Sequence, residues 1–221
     1  SATAELTWGL IICAMRQIPQ QMASLKRGQW QTALGRGLRG RTLGVWGYGR
    51  IGQQVAAFGR AFGMKVLIWS RETGLASARA DGYAAAPGKQ ALFEESDVLS
   101  LHVRLNAETR GMVTAEDLAR MKPTALIANT SRAELIEPGA LVAALKAGRP
   151  GMAAVDVFEK EPVTDLQQPL LNMNNVVCTP HLGYVERDQL ERYYNDQFNR
   201  VLAFEKGAPV DVANPQALAA H

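Results

Sequence analysis

The chain has 221 residues, nearly half of them apolar, and a net charge of only +3. A chain of this length can bury a sizeable core. The basic residues are scattered except for Arg36, Arg39 and Arg41, which we interpret as part of a solvated loop. We therefore expect no nucleic-acid partner. No uncharged apolar run approaches the roughly 18 residues that span a bilayer, so we expect no membrane partner. Cys13 and Cys178 lack motif spacing and are interpreted as buried thiols of a reducing, cytoplasmic compartment.

Residues 3–27 are predicted to form one long helix with Thr3 as its N-cap. Apolar residues occupy nearly every side of this helix, so we expect another part of the protein, or a second chain, to cover it. Pro19 is expected to end or kink the helix. Residues 28–40 are rich in glycine and arginine and are predicted to be a loop before the first strand.

Residues 41–52 predict a strand that runs into a glycine-rich turn and the start of a helix. Gly47, Gly49 and Gly52 form a GxGxxG pattern. Gly47 permits a tight turn, Gly49 lets a pyrophosphate approach the backbone, and Gly52 lets the helix pack close to the strand. The pattern alone is weak, but the surrounding elements are those that the dinucleotide-binding fingerprint requires.

The helix after the turn is predicted to end at Gly63, and residues 65–69 are predicted to be a second apolar strand. The N–H groups and the positive dipole end of the helix indicate an anion site above the glycines. The residues expected to pack on the sheet recur at helical spacing. They are Ile51, Val55, Phe58 and Phe62.

The residues after the second strand decide between NAD and NADP. NAD sites carry an acid here to bind the ribose 2′-hydroxyl, whereas this chain has Ser70 followed by Arg71, which suits the 2′-phosphate of NADP. Glu72 complicates the choice because its carboxylate would repel that phosphate or bind the ribose itself. We favour NADP over NAD as the cofactor.

The remaining chain alternates short apolar strands, at 97–102, 125–129, 152–156 and 176–179, with helices. One helix opens with a capping-box pattern at Thr114, and another is framed by Pro138 and Gly148. This alternation predicts an α/β fold with a Rossmann-type doubly wound parallel sheet. Ligands of such sheets bind at the carboxyl ends of the strands. Several polar residues should therefore converge in one crevice: His102, Asn129 to Arg132, Asp156 and His181.

Four ordered motifs resemble those of the D-isomer-specific 2-hydroxyacid dehydrogenases, a family that includes phosphoglycerate dehydrogenase and the glyoxylate/hydroxypyruvate reductases. They are Gly47–Gly52 (GYGRIG), Asn129–Arg132 (NTSR), Asp156–Pro162 (DVFEKEP) and Thr179–Gly183 (TPHLG). Members usually begin with roughly a hundred further residues that form half of a substrate domain. The resemblance therefore implies a coenzyme domain at 31–183, a linking and dimerisation helix at 1–30, and a helix and tail at 184–221 that return to the substrate domain.

The resemblance implies an enzyme that transfers a hydride between NAD(P) and a small D-2-hydroxy or 2-oxo acid of the glyoxylate, hydroxypyruvate or phosphoglycerate type. If NADPH is the coenzyme, reduction of glyoxylate or hydroxypyruvate is the preferred direction. His181 would be the general acid or base. Glu161 would orient His181 and favour its protonated form. Arg132 would bind the carboxylate of the 2-oxo acid with its planar guanidinium.

The resemblance also implies how the coenzyme is held. Arg50 and Ile51 would meet the pyrophosphate, Asp156 would contact the nicotinamide side, and the His102 to Thr109 segment would line the cleft, although a structural role for His102 fits its position equally well. No metal is expected. The implied coenzyme-binding residues are Gly47, Gly49, Arg50, Ile51, Gly52, Ser70, Arg71, His102, Val103, Thr109, Thr130, Ser131, Asp156 and Gly183.

Two residues depart from the family's pattern: Ala133 replaces a usual glycine and Arg104 a usual proline. Two other functions remain compatible with the motifs. One is a dinucleotide-binding regulatory module like the C-terminal-binding corepressors, which lacks dehydrogenase turnover, and the other is formate dehydrogenase. Because the first helix helps dimerisation in the family, we expect a homodimer.

Overall fold

The computed structural model describes residues 1–216, so the last five residues of the predicted C-terminal tail, including His221, lie outside the described part. The chain divides into two compact units. The first comprises Ser1 and residues 3–183, and the second comprises Ala2 and the residues after Gly183. The helix predicted at 1–30 therefore belongs almost entirely to the unit that contains the sheet.

The first unit contains one sheet of seven strands. They are β1 (Thr42–Trp46), β2 (Lys65–Trp69), β3 (Ala84–Ala85), β4 (Val98–Leu101), β5 (Leu126–Asn129), β6 (Met152–Val155) and β7 (Val176–Cys178). All neighbours are parallel, in the order β3-β2-β1-β4-β5-β6-β7. The order reverses between β1 and β4, which creates the switch point where such folds bind ligands. The predicted doubly wound parallel sheet is confirmed.

Eight α-helices accompany the strands in the described chain. They are α1 (Ala2–Arg16), α2 (Ile18–Lys26), α3 (Arg50–Ala61), α4 (Glu72–Ala80), α5 (Lys89–Glu95), α6 (Ala115–Arg120), α7 (Ala140–Ala147) and α8 (Arg187–Glu205). Successive strand residues alternate between two apolar clusters. One cluster contains residues of α1, α3 and α4, and the other contains residues of α5, α6 and α7. Both faces of the sheet are thus covered by helices.

The prediction of a single helix over 3–27 is wrong. The helix breaks at Gln17, whose φ of 53° is left-handed, and Pro19 lies in the first turn of α2. A proline in a first turn forfeits no helical hydrogen bond, so the break falls before the ring rather than at it. The N-cap is Ser1 and not Thr3.

The expectation that the first helix is apolar on every side is also wrong. Glu5, Gly9 and Arg16 are exposed along one side of α1. The buried residues of this helix lie in the core of its own unit, on the sheet face that α3 and α4 also cover. They are Ala4, Thr7, Trp8, Leu10, Ile11, Ala14 and Met15.

The predicted packing face of α3 is only partly correct. Phe58 and Phe62 are 37% and 42% exposed, and the residues that α3 buries are mainly small. The reason is the closeness of the helix to β1, because a Cβ added at Gly59 would lie 2.4 Å from a methyl of Leu43. Phenylalanine rings cannot enter so narrow a gap between α3 and β1. Phe62 lies outside the gap and packs against Trp8, with ring centroids 4.8 Å apart.

Other local predictions have mixed outcomes. The capping box at Thr114 is confirmed, and α7 is flanked by glycines 139 and 148, both in the left-handed region. The pattern analysis missed α4, β3 and α5. Both cysteines are free but only partly buried, and burial raises the pKa of the Cys178 thiol to about 11.

The second unit contains α8, none of whose residues is buried. The apolar side chains predicted to share one side of this helix are largely exposed, among them Tyr193, Tyr194, Phe198 and Val201. Across residues 1–216, no helix combines the length and the apolarity needed to cross a membrane.

Asp97 joins the start of β1 to the residues before β4 at the amino end of the sheet. Its carboxylate accepts hydrogen bonds from the Thr42 amide at 2.8 Å and the Lys122 ammonium at 3.0 Å, and Arg41 lies at 4.0 Å. Burial raises the pKa of Asp97, but these hydrogen bonds and charges outweigh burial and hold the pKa below its ordinary value of 3.8.

We predict that Asp97→Asn lowers thermal stability near neutral pH, and that the difference from the unaltered chain disappears in acid. A carboxyl whose pKa is depressed by folding stabilises the fold above its unfolded pKa, and this contribution is lost as pH falls through the folded pKa. The measurement is the melting temperature of both proteins between about pH 7 and pH 3. The control is Glu95→Gln, which alters an exposed carboxylate nearby and should leave the melting temperature unchanged. If the melting temperature of Asp97→Asn stayed below that of the unaltered chain in acid, the stabilising role of the ionised Asp97 carboxylate would be contradicted.

Candidate active site

The glycine turn has the geometry of a pyrophosphate site. Gly47 has a φ of 99°, and a Cβ on it would lie 2.5 Å from the carbonyl oxygen of His102. A Cβ on Gly52 would lie 2.0 Å from the carbonyl oxygen of Gly47, whereas nothing lies within 4 Å of a Cβ on Gly49. Backbone atoms therefore crowd Gly47 and Gly52, whereas the space beside Gly49 is open. The amides of the first turn of α3, where Arg50 and Ile51 lie, have no preceding helical carbonyls to bond and suit an anion.

The end of β2 carries the residues that face the adenosine ribose in this kind of fold. The Ser70 hydroxyl accepts a hydrogen bond from the Tyr48 amide at 3.3 Å. Arg71 is exposed and, within residues 1–216, its guanidinium makes no hydrogen bond or ion pair. Glu72 forms an exposed ion pair with Arg79 at 3.1 Å. The carboxylate that complicated the sequence analysis is thus engaged with another side chain.

The segment after β4 borders the glycine turn through its backbone. The amide of Val103 would lie 3.2 Å from a Cβ on Gly47. The imidazole of His102 contacts the Ser100 hydroxyl through Nε2 at 2.8 Å, and its buried Nδ1 has no partner among the described residues. Desolvation lowers the pKa of His102 to about 4, so the ring is neutral near pH 7. Thr109 holds the end of the segment by donating to the carbonyl of Arg104 at 2.8 Å.

The end of β5 is a turn held by Asn129, which is almost completely buried. Its side chain accepts from the Ser131 amide at 3.0 Å and donates to the carbonyl of Arg132 at 2.9 Å. The Ser131 hydroxyl donates to the carbonyl of Leu101 at 2.9 Å, which ties this turn to the end of β4. The Arg132 guanidinium is exposed and donates to the carbonyl of Ser131 at 2.6 Å.

Asp156, directly after β6, is fully buried and holds the segment that carries His181. Its carboxylate accepts three hydrogen bonds from that segment: the Thr179 hydroxyl at 2.5 Å, the Leu182 amide at 2.7 Å and the Gly183 amide at 2.8 Å. These bonds lie on both sides of His181, whose φ of 55° is left-handed. Asp156 thereby fixes the backbone from which the imidazole projects.

The structure brings His181 and Glu161 into direct contact. Nδ1 of His181 lies 2.6 Å from Oε2 of Glu161, and the other carboxylate oxygen accepts from the Phe158 amide at 2.9 Å. Burial raises the pKa of Glu161, but the hydrogen bonds from His181 and Phe158 and the positive charges of His181 and Arg132 outweigh it, so the pKa lies below its ordinary value of 4.5. The guanidinium of Arg132 therefore acts on the same carboxylate.

Sequence reasoning assigned no supporting role to several residues that hold these groups in place. Thr3 and Thr7 on α1, Thr179, and the side chain of Asn129 all bond to segments that carry predicted site residues. Asn129 and Thr179 belong to quoted motifs, so a role for them was within reach of sequence reasoning. Nothing in the pattern of α1 indicated that two of its threonines contact segments more than a hundred residues away.

Known proteins resemble this chain in sequence and in structure. At 44% identity over 184 residues, the chain is similar to a D-3-phosphoglycerate dehydrogenase of Methanocaldococcus jannaschii, and the match covers 82% of this chain and 35% of that protein. It is 37% identical to a glyoxylate reductase of Aeropyrum pernix, covering 98% and 67% respectively. The crystal structure of a putative D-3-phosphoglycerate dehydrogenase oxidoreductase from Ralstonia solanacearum superposes with a TM-score of 0.95 at 55% identity, covering 99% and 67%.

The chain thus spans between about a third and two thirds of the length of these proteins. The family model described as D-isomer specific 2-hydroxyacid dehydrogenase, NAD binding domain, matches residues 8–183. With the glycine turn, the parallel sheet and the His181–Glu161 pair in place, the chain belongs to the D-isomer specific 2-hydroxyacid dehydrogenases and contains their NAD-binding domain.

Proposed function

We propose that the chain is the coenzyme-binding part of an oxidoreductase that interconverts a small 2-oxo acid and its D-2-hydroxy acid, with the reduction of glyoxylate or hydroxypyruvate as the preferred reaction. Residues 31–183 form the coenzyme domain in this proposal. The observation that carries it is the 2.6 Å contact between His181 and Glu161. Turnover of a 2-oxo acid requires an oriented acid–base pair, and this contact supplies one.

The Arg132 guanidinium is proposed to bind the substrate. A planar guanidinium forms paired hydrogen bonds with a carboxylate, and its positive charge also polarises a neighbouring carbonyl group. The turn around Arg132 is fixed by the buried side chain of Asn129, which keeps the guanidinium near the end of β5. This arrangement supports selection of substrates that carry a carboxylate beside the reacting carbon.

His181 is proposed to exchange the proton. When bound, the nicotinamide coenzyme supplies or accepts the hydride at the substrate carbon. Because Glu161 holds Nδ1 of the imidazole, Nε2 is the nitrogen that delivers a proton to the carbonyl oxygen in reduction and removes it from the hydroxyl in oxidation. Asp156 and Glu161 fix, respectively, the backbone and the ring of this residue, so the proton donor is positioned before the substrate arrives.

We predict that His181→Gln lowers kcat for 2-oxo acid reduction by roughly 10²- to 10⁴-fold, the range for loss of a general acid. Coenzyme binding should change little, because the glycine turn is untouched. The measurements are steady-state kinetics of the full-length protein with glyoxylate, hydroxypyruvate and formate, together with a fluorescence titration of the coenzyme. Glu161→Gln should reduce kcat as well.

The matched control is Glu159→Gln, which alters a carboxylate two residues away that accepts a bond from the Gly139 amide and does not contact His181. This variant should keep its activity. Full activity of His181→Gln would contradict the proposed chemistry, and binding of coenzyme without turnover of any substrate by the unaltered protein would favour a regulatory module.

We infer that NADP is preferred over NAD. Ser70 in place of an acid after β2 leaves room for a 2′-phosphate. The guanidinium of Arg71, which has no partner among residues 1–216, supplies a positive charge beside it. The ion pair between Glu72 and Arg79 reduces the repulsion that the Glu72 carboxylate would exert on that phosphate.

We predict that Arg71→Ala weakens NADPH binding by about ten- to a hundredfold and changes NADH binding little, because a hydrogen bond to a charged group contributes about 1.5–3 kcal/mol. The measurement is the Kd of each coenzyme by fluorescence titration. Arg50→Ala is the matched comparison, since a residue beside the pyrophosphate should affect both coenzymes alike. Equal losses for the two coenzymes in Arg71→Ala would refute the preference for NADP.

We infer that the protein is a homodimer and that residues 1–30 form part of the interface. Apolar side chains on α2 and the loop after it support this, because they are exposed and close in sequence. Their exposed fractions are 56% for Met22, 57% for Leu25 and 76% for Trp30. A second copy of the chain, packed by a twofold axis, would remove these side chains from water.

We predict that Leu25→Asp converts the dimer to a monomer, because burying an unpaired carboxylate in an apolar contact is unfavourable. The mass in solution, measured by light scattering or sedimentation, checks this. Leu166→Asp places the same charge at a leucine that is 80% exposed and lies outside residues 1–30, so this variant should stay dimeric. A monomeric unaltered chain would exclude the proposed interface.

A cytoplasmic location is the last part of the proposal. The two thiols of the described chain are free, which fits a reducing compartment.

A further inference from the structure

Thr7 lies on α1 and contacts the end of β5, far from it in sequence. Its side chain is fully buried, and its hydroxyl lies 2.7 Å from the carbonyl oxygen of Thr3 and 2.7 Å from the hydroxyl of Thr130. Thr130 directly precedes the turn that carries Arg132, and it is itself only 7% exposed. A bond to a helical carbonyl four residues back is common for threonine, but the second bond, to Thr130, is particular to this site.

The direction of the hydrogen bonds follows from the number of protons. A carbonyl oxygen can only accept, so the single hydroxyl hydrogen of Thr7 is donated to the carbonyl of Thr3. Thr7 must therefore accept from Thr130, whose own hydroxyl hydrogen points at Thr7. The rotamer of Thr130 is fixed by this bond. The Thr130 oxygen can offer only lone pairs to any further partner, such as an N–H or O–H donor on a bound coenzyme.

The same turn of α1 also contacts the segment that carries His181. The Thr3 hydroxyl donates to the carbonyl of Gly183 at 2.7 Å, and the Gly183 amide donates to Asp156. Gly183 is two residues after His181. The first turns of α1 are therefore bonded to both segments from which the proposed substrate-binding and proton-donating side chains project.

We propose that Thr7 is a positioning residue for hydride transfer: through Thr130 its hydroxyl holds the Arg132 turn on α1, the helix whose Thr3 hydroxyl bonds the segment that carries His181. The inference rests on the proposed function, because it assigns Thr7 to the turn that carries the proposed substrate-binding residue. Thr7 itself bonds to neither Arg132 nor His181. Loss of the Thr7 hydroxyl leaves the Thr130 donor without its partner, and the Arg132 turn loses its bond to α1.

The test compares Thr7→Val, which keeps the shape of the side chain but removes the hydroxyl, with Thr7→Ser, which keeps the hydroxyl. In the full-length protein we expect Thr7→Val to lower kcat for 2-oxo acid reduction about tenfold or more, since small misplacements of reacting groups carry losses of this size. The KM for coenzyme should stay within about twofold, because the glycine turn is not affected. Thr7→Ser should recover most of the activity.

The matched control is Ser96→Ala. Ser96 is also fully buried and its hydroxyl also donates to a carbonyl four residues back, that of Leu92, but it contacts neither catalytic segment. Ser96→Ala should keep kcat even where it lowers stability. If Thr7→Val does not fold, Thr130→Val removes the same hydrogen bond from its other partner. The double variant that combines Thr7→Ser with Thr130→Val should then show the same loss of kcat as Thr130→Val alone.

Amide hydrogen exchange of Ser131 and Gly183 separates failure of this inference from failure of the proposed function. We expect the Ser131 amide to exchange faster in Thr7→Val than in Thr7→Ser, whether or not the protein turns over a 2-oxo acid. The Gly183 amide donates to Asp156 and is the internal reference, whose exchange should not change. An active protein in which Thr7→Val keeps kcat within about twofold would overturn the inference. If no 2-oxo acid is turned over at all, the proposed function is lost, and unchanged exchange at the Ser131 amide would then overturn the inference independently.

Discussion

The close approach of α3 to the end of β1 is the constraint on which the rest of the site depends. The Cα of Gly52 lies so near the carbonyl of Gly47 that no side chain can be inserted, since a Cβ would lie 2.0 Å from that oxygen. This contact directs the positive end of α3 at the turn. Because all strands are parallel and the order reverses between β1 and β4, the ends of β4, β5 and β6 follow along the same edge. The glycine turn and the segments that carry Arg132 and His181 thus lie along one edge of the sheet.

A second buried contact holds the segment that carries His181. Asp156 is completely buried, and a buried carboxylate is unfavourable unless hydrogen bonds replace its water. Three donors from residues 179–183 replace that water, and the backbone of His181 is left with a φ of 55°. Such a conformation in a residue other than glycine costs on the order of 1 kcal/mol or more and persists only where the surroundings enforce it. The strained backbone therefore marks a position that Asp156 selects.

The sequence predicted the sheet better than the helices, for physical reasons. Buried parallel strands are continuous apolar runs, and β2 at Lys65–Trp69 was predicted to the residue. Pro19 indicated a break, but its position at Gln17 could not be predicted, because a left-handed residue that is not glycine or asparagine looks like any other helix former. Phe58 and Phe62 were assigned to the core by helical spacing alone, since spacing does not reveal how narrow the gap beneath α3 is. The short α4 and α5 have too few turns for a periodic pattern.

For the site, sequence reasoning named the residues to which chemistry is assigned, but not the contacts of α1 that hold their segments. His181, Glu161 and Arg132 lie in motifs that could be compared with a family. The bond between Thr7 and Thr130 spans 123 positions, and only the fold brings the two hydroxyls together. Long-range contacts between two common side chains leave no local pattern in the sequence.

The residues that hold the segments of Arg132 and His181 can do so for an energetic reason. The supporting side chains are short: Thr3, Thr7, Asn129 and Asp156 lose little rotamer entropy when they are fixed, unlike a long Arg or Gln side chain. Their bonds are largely buried, so losing one partner leaves an unsatisfied polar group at a cost of about 1–3 kcal/mol. Each 1.4 kcal/mol changes a population tenfold. A few such bonds are therefore sufficient to hold the turns that carry Arg132 and His181 in one conformation.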